Sequence, residues 1–212
     1  MRALREAVAF AAALAAAAAL AQTITFGDAT PGKLPQEFEI GLTGGGPPPR
    51  WEIVPDPSAV EGKALAQLST DQTDLRFPLA IHRSNPLADV EASTRFKAMS
   101  GKLDQAGGLA VRLKDQNNYY VTRANALEDN VRFYRVVNGR RQQLASANVK
   151  VAAGEWHTLA LRAEGDRFTV SFDGKQLFTH RDTTFTAPGS VALWTKADSL
   201  TRFESLVVKP LQ

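Results

Sequence analysis

From Gln22 to the C-terminus, apolar positions recur every second residue in short runs, and Gly, Pro, Asn and Asp separate the runs. A period of two turns one side of a segment toward a core and the other toward water, the mark of a half-buried β-strand. The pattern predicts strands over 24–26, 37–42, 51–54, 63–69, 77–83, 90–99, 109–114, 119–125, 131–138, 156–164, 167–173, 176–180, 190–195 and 201–209. Phe168, Val170 and Phe172 share one face while Thr169 and Ser171 take the other, and Phe38, Ile40 and Leu42 align in the same way. Asn138-Gly139 and Asp173-Gly174 predict two-residue hairpin turns, because these residue types tolerate positive φ at both turn positions. No stretch carries a helical period of useful length. Many short strands without helices or a fixed repeat predict an all-β fold, an antiparallel β-sandwich of two sheets packed face to face.

The length of 212 residues suits one all-β domain, assigned to 22–212. Before it, Arg2 and Arg5 precede an apolar run that closes in Ala19-Leu20-Ala21. That order predicts a cleaved secretory signal peptide over 1–21 and an exported protein, periplasmic or extracellular. A membrane anchor is the alternative, but the run falls short of the roughly 20 residues a span needs and is mostly weakly apolar Ala. Cysteine is absent, which excludes disulfides, thiol catalysis and Cys-based metal sites. A net charge of +3 is too small to argue for a nucleic-acid or membrane partner. Arg140-Arg141, the densest basic pair, reads as part of a solvated turn. Gly44-Gly45-Gly46 followed by three prolines reads as an irregular loop; no Lys-Ser or Lys-Thr follows to make it a phosphate cradle.

The densest set of aromatic, amide and charged residues lies in 107–141. The stretches NNYYVTRANALEDN (117–130), GEWHTLAL (154–161), FTVSFDGKQLF (168–178) and GSVALWTKADSLTRFESLVV (189–208) resemble the concanavalin A-like lectin/glucanase superfamily. Within it they are most similar to laminin-G-like jelly rolls related to the 3-keto-disaccharide hydrolase domain. The resemblance runs from about Trp51 to Val208 and implies a jelly roll whose concave sheet face binds sugars. It also implies that the RANALEDN and TKADS stretches meet in space. The superfamily includes lectins, enzymes and adhesive modules, so the fold leaves function open.

Arg123, Asn125, Glu128 and Asn130, with Lys196 and Asp198, form the candidate ligand-binding set, since together they donate to and accept from sugar hydroxyls. Tyr119, Tyr120 and Trp194 are candidate stacking surfaces for a pyranose ring. The alternative is structural: Arg123 and Glu128 pair at the Ala126-Leu127 corner while Asn125 and Asn130 satisfy its backbone. Arg123 is in phase with Val121 and Tyr119, so an inward Val121 favours that alternative. A hydrolase would use Glu128, Asp198 or His82 as acid or base. The carboxylate ladder of β-glucanases is missing, because the pairs Glu37/Glu39, Asp89/Glu91 and Glu164/Asp166 each lack a third acid. Histidine spacing carries no metal signature. Calcium is the one ion with candidates, Asp71, Asp74 and Asp28. The leading expectation is an exported carbohydrate-binding module; a glycosidase-like hydrolase and a protein-adhesion module are the alternatives.

Overall fold

The computed structural model describes residues 20–211. The signal peptide assigned to 1–21 therefore lies, apart from its last two residues, outside the described residues. Fifteen strands are described: β1 (Gln22–Thr25), β2 (Phe38–Thr43), β3 (Trp51–Pro55), β4 (Lys63–Gln67), β5 (Phe77–His82), β6 (Val90–Ser100), β7 (Ala106–Asp115), β8 (Asn118–Asn125), β9 (Asn130–Val137), β10 (Arg140–Asn148), β11 (His157–Glu164), β12 (Arg167–Phe172), β13 (Lys175–Arg181), β14 (Ser190–Trp194) and β15 (Leu200–Pro210). They form two antiparallel sheets. The first runs β13-β12-β11-β6-β15-β4-β3, and the second β10-β9-β8-β7-β14-β5-β2. In the first, β15 offers one edge to both β4, along Thr201–Phe203, and β1, along Ser205–Val208.

The alternation read from the sequence decides what fills the space between the sheets. Phe168, Val170 and Phe172 of β12 are buried there with Leu159 and Leu161 of β11, against Tyr120 and Phe133 of the second sheet. The Tyr120 and Phe168 ring centroids stand 4.3 Å apart. Each such side chain removed from water contributes about 1.5–3 kcal/mol. At both expected hairpins the φ values are positive, 50° and 77° at Asn138-Gly139 and 47° and 77° at Asp173-Gly174. Ile40 departs from expectation: on the edge strand β2 it is exposed rather than in the core.

One strand escaped the pattern. β10 reads RRQQLASAN, too polar to signal a strand, and it forms because the two-residue turn before it sets the pairing Val137↔Arg140 and Val136↔Arg141. A second surprise lies in β7, where Arg112 takes a positive φ of 48° within a register shift between Val111 and Asp115. The bulge reverses the alternation, so that Arg112 turns to the inter-sheet side and Leu113 to the other.

The second sheet is buried on its outer face as well. Phe77, Leu79, Ala110, Tyr119, Val121, Tyr134, Val136, Ala192 and Trp194 form a separate apolar cluster there. Long side chains at the rim of this face close over it.

Candidate functional site

Those rim side chains are mostly cations. In β8, Tyr119, Val121 and Arg123 alternate onto the outer face; in β9, Arg132, Tyr134 and Val136 do so, with Arg123 opposite Arg132 in register. Gly108, beside Arg123 in β7, makes the room: a Cβ there would stand 2.7 Å from the Thr122 carbonyl oxygen and 3.1 Å from both Arg123 and the Trp194 ring. Any larger residue would push the arginine or the indole off the face.

Arg123 and Glu128 pair at 2.8 Å, and Arg132 reaches the same carboxylate oxygen, Oε2, at 3.1 Å. Asn130 donates to that oxygen too, at 3.1 Å, and accepts from Arg123 Nη1 through its own Oδ1 at 2.5 Å. Burial alone would raise the Glu128 pKa, but Arg123, Asn130 and Arg132 outweigh it and hold the carboxyl below its ordinary value. Arg123 Nη2 also donates to the Tyr134 hydroxyl at 3.3 Å. The Arg141 guanidinium lies over that same Tyr134 ring, 4.3 Å from its centroid, and over Phe77 at 4.8 Å.

The TKADS and RANALEDN stretches meet through a residue the sequence reading passed over, Asp104. It accepts from Asn125 Nδ2 at 2.6 Å and pairs with Lys196 at 2.9 Å. Lys196 in turn reaches Asp74 at 3.3 Å. Burial lowers the Lys196 pKa by itself, yet the two carboxylates outweigh it and raise the value; Asp104, the deeper partner, is raised by its own burial in spite of Lys196.

The predicted residues thus divide. Arg123, Glu128, Asn130 and Lys196 come together on or beside the outer face. Asn125 is wholly buried and braces the corner, its Oδ1 accepting from the Leu127 and Glu128 amides at 2.8 and 3.3 Å. Asp198 is nearly buried, its carboxylate accepting the amides of Lys102, Leu103 and Asp104, so it holds a loop rather than facing a ligand. Tyr120 faces the inter-sheet core and donates to Asp182 at 2.5 Å. Tyr119 and Trp194 lie on the outer side but are fully covered, the indole donating to the Tyr119 hydroxyl at 3.3 Å, and neither ring offers a face for stacking. Burial pushes the Tyr119 pKa up to about 12. His82 packs its ring on Phe38, 5.3 Å away on the core side, with a pKa lowered by burial and no carboxylate partner of the Glu128 group. The two calcium candidates in the 71–74 loop face cations instead: Asp71 lies 3.5 Å from Arg76 and Asp74 meets Lys196. Among the described residues no three His, Asp or Glu side chains gather as ligands, and Asp28 has no partner in such a group.

Arg132, Tyr134 and Arg141, which join this cluster, were absent from the candidate set, and Arg141 was misassigned to a solvated turn. The signal was available. A two-residue Asn-Gly turn places Arg141 opposite Val136, on the face of Arg132 and Tyr134.

A sandwich of two antiparallel sheets with a polar cluster on its outer sheet face defines the class: a concanavalin A-like, lectin-type jelly roll. Residues 94–211 match the family described as the galactocerebrosidase C-terminal lectin domain, and the chain belongs to that family. No curated protein sequence matches. Among solved structures the fold is similar to the carbohydrate-binding module CBM66 from Bacillus subtilis, at 23% identity and TM-score 0.61 over 80% of this chain and 94% of that one. It is similar to lectin II from Ulex europaeus at 10% identity and TM-score 0.63, covering 92% and 100%. A native glycosidic hydrolase is also similar, at 12% identity and TM-score 0.56, covering 91% and 97%. At these identities the likeness concerns the fold, which serves binding and hydrolysis alike.

Proposed function

We propose that this protein binds carbohydrate on the outer, concave face of the second sheet, without transforming it. The observation that carries the reading is the Glu128 carboxylate. Arg123, Arg132 and Asn130 all bind Oε2, which fixes the side chain, while among the described residues none donates a hydrogen bond to Oε1 and the side chain stays 37% exposed. A carboxylate held in place with one oxygen open is a preorganised acceptor for a sugar hydroxyl. The guanidinium N–H groups around it supply donors. Membership of a lectin-domain family supports the same reading.

A hydrolase needs an acid and a base at the reacting bond. Glu128 has no second open carboxylate beside it, since Asp104 is committed to Lys196 and Asn125, and Asp198 to three amides. The charged and apolar N-terminal run supports export, and N-terminal sequencing of secreted material should begin at Gln22.

The binding reading is tested by calorimetry of the full protein against a panel of neutral and acidic oligosaccharides, with mass spectrometry of the recovered sugars. Binding without products is expected, and Glu128→Ala should weaken it at least tenfold. New products would favour the hydrolase, and silence across the panel would favour an adhesion module.

A further inference from the structure

Cations and anions on the outer face do not balance. Glu128 serves both Arg123 and Arg132, and Lys196 has Asp104 and Asp74. Among the described residues Arg141 has no carboxylate within ion-pairing distance. Its Nη1 is buried without a hydrogen-bond partner among them, and so are Arg123 Nε and Arg132 Nε. The Arg141 guanidinium is instead held by rings, those of Tyr134, Phe77 and Trp194 at 4.3, 4.8 and 5.9 Å. A hollow of about 560 Å³, lined by Val137, Asn138, Arg140, Arg141 and Gln142, opens beside it.

Burying a guanidinium without a counter-ion is unfavourable, and π contacts recover only part of the lost hydration. Its pKa is lowered by burial and, less strongly, by neighbouring Arg123. A face that keeps such a group has a vacancy for negative charge. The rings under Arg141 point the same way. Neutral sugars are commonly held by an exposed aromatic platform, yet Phe77, Trp194, Tyr119 and Tyr134 are all buried and the uppermost surface is guanidinium. Recognition here is by donors, and it suits a ligand rich in acceptors. A planar guanidinium fork matches a carboxylate in shape as well as charge. Glu128 does not repel such a ligand, because two arginines already neutralise it.

We propose that the saccharide bound on this face is acidic, a hexuronate or other carboxylated sugar, with its carboxylate on Arg141 and its hydroxyls on Glu128, Arg123 and Arg132. The inference rests on the carbohydrate reading above and adds the ligand class and a residue outside the predicted set.

The test compares oligomers of galacturonate, glucuronate and mannuronate with the same oligomers after carboxyl reduction, by calorimetry on the full protein. At least one acidic oligomer should bind, at least tenfold more tightly than its reduced counterpart, and the preference should shrink as salt is raised. Arg141→Gln should remove that preference, while Arg141→Lys should keep part of it. Equal binding of acidic and reduced oligomers overturns the acidic class but leaves the carbohydrate reading intact. A preference undiminished in Arg141→Gln overturns the role of Arg141. Binding of sulfated saccharides with none of the uronates overturns the carboxylate. No binding to any acidic or neutral saccharide overturns both readings. The wild-type comparison needs no variant, so it stands even where Arg141→Gln folds poorly.

Discussion

Arg112 and Arg141 are both arginines of the second sheet with guanidinium groups taken largely out of water, and they are held in opposite ways. Arg112 has a partner for every nitrogen: Nε donates to Ala88 O at 2.7 Å, Nη1 to Phe185 O at 2.8 Å, and Nη2 to Gly165 O at 2.6 Å and Asp89 at 3.2 Å. It ties three loops to β7 and is finished as it stands. Arg141 rests on rings, and among the described residues its Nη1 is unpartnered and no carboxylate is in reach. Burial alone therefore does not separate the two arginines; the state of their donors does. Under the proposal above, a satisfied buried cation belongs to folding and an unsatisfied one at the edge of a hollow serves a ligand.

The comparison breaks first at Arg112. Arg112→Ala takes the shared donor from three loop carbonyls and empties the space of a buried side chain, and should cost about 3 kcal/mol in urea unfolding; a loss under about 1 kcal/mol would erase the distinction. An effect of similar size belongs to the other satisfied cluster, on the first sheet, where Asp56 accepts from Lys97 at 2.7 Å, Arg202 at 2.9 Å and Ser58 at 2.6 Å. Lys97→Met should cost about 3 kcal/mol at neutral pH, at the lower end for a buried pair because Arg202 and Ser58 remain. Burial by itself raises the Asp56 pKa, but Lys97, Ser58 and Arg202 outweigh it and hold it far below the ordinary 3.8. A depressed folded pKa means that the stability it contributes is fully present above pH 3.8 and is lost as pH falls from there toward the folded value. The stability gap between wild type and Lys97→Met should narrow over that same acid range, and a gap that stays constant would assign the effect to packing alone.

Asp198→Ala should cost about 2 kcal/mol, since it strips the acceptor from three loop amides, and should leave saccharide affinity within about threefold if the carboxylate serves only that loop. A larger fall in affinity with stability intact would restore Asp198 to the site. The smallest effect is the most pointed. Arg141→Met keeps an unbranched apolar stem beside Tyr134 and removes an unpaired charge, so stability should hold or rise by about 1 kcal/mol. A loss comparable to that of Arg112→Ala would make Arg141 a scaffold residue.

The architecture was legible because period two is a local property. Phe168, Val170 and Phe172 announce a core face, and Asn138-Gly139 and Asp173-Gly174 announce hairpins, without reference to any other strand. The candidate cluster was legible in part. Arg123, Glu128, Asn130 and Lys196 stand together as the resemblance implied, whereas Tyr120 turned out to be one residue out of phase with the face, as Tyr119 and Val121 define it. Phase within a strand is visible in sequence, but which phase is the core depends on the opposing sheet. Here both faces of the second sheet are buried, so an apolar Val121 does not identify the inner side.

By itself, then, the order of residues determined the strand count to within β10, the two tight turns, the absence of thiol chemistry and the broad class, because each follows from neighbours a few residues apart. Tertiary structure alone decided that the bulge at Arg112 turns that side chain inward, that Asp198 is spent on a loop, that Asp104 joins Lys196 to Asn125, and that Arg141 lies over buried rings with no counter-ion among the described residues. These are outcomes of charge and space shared among strands far apart in the chain. Whether a guanidinium finds its carboxylate is settled only when every competing partner has taken its place.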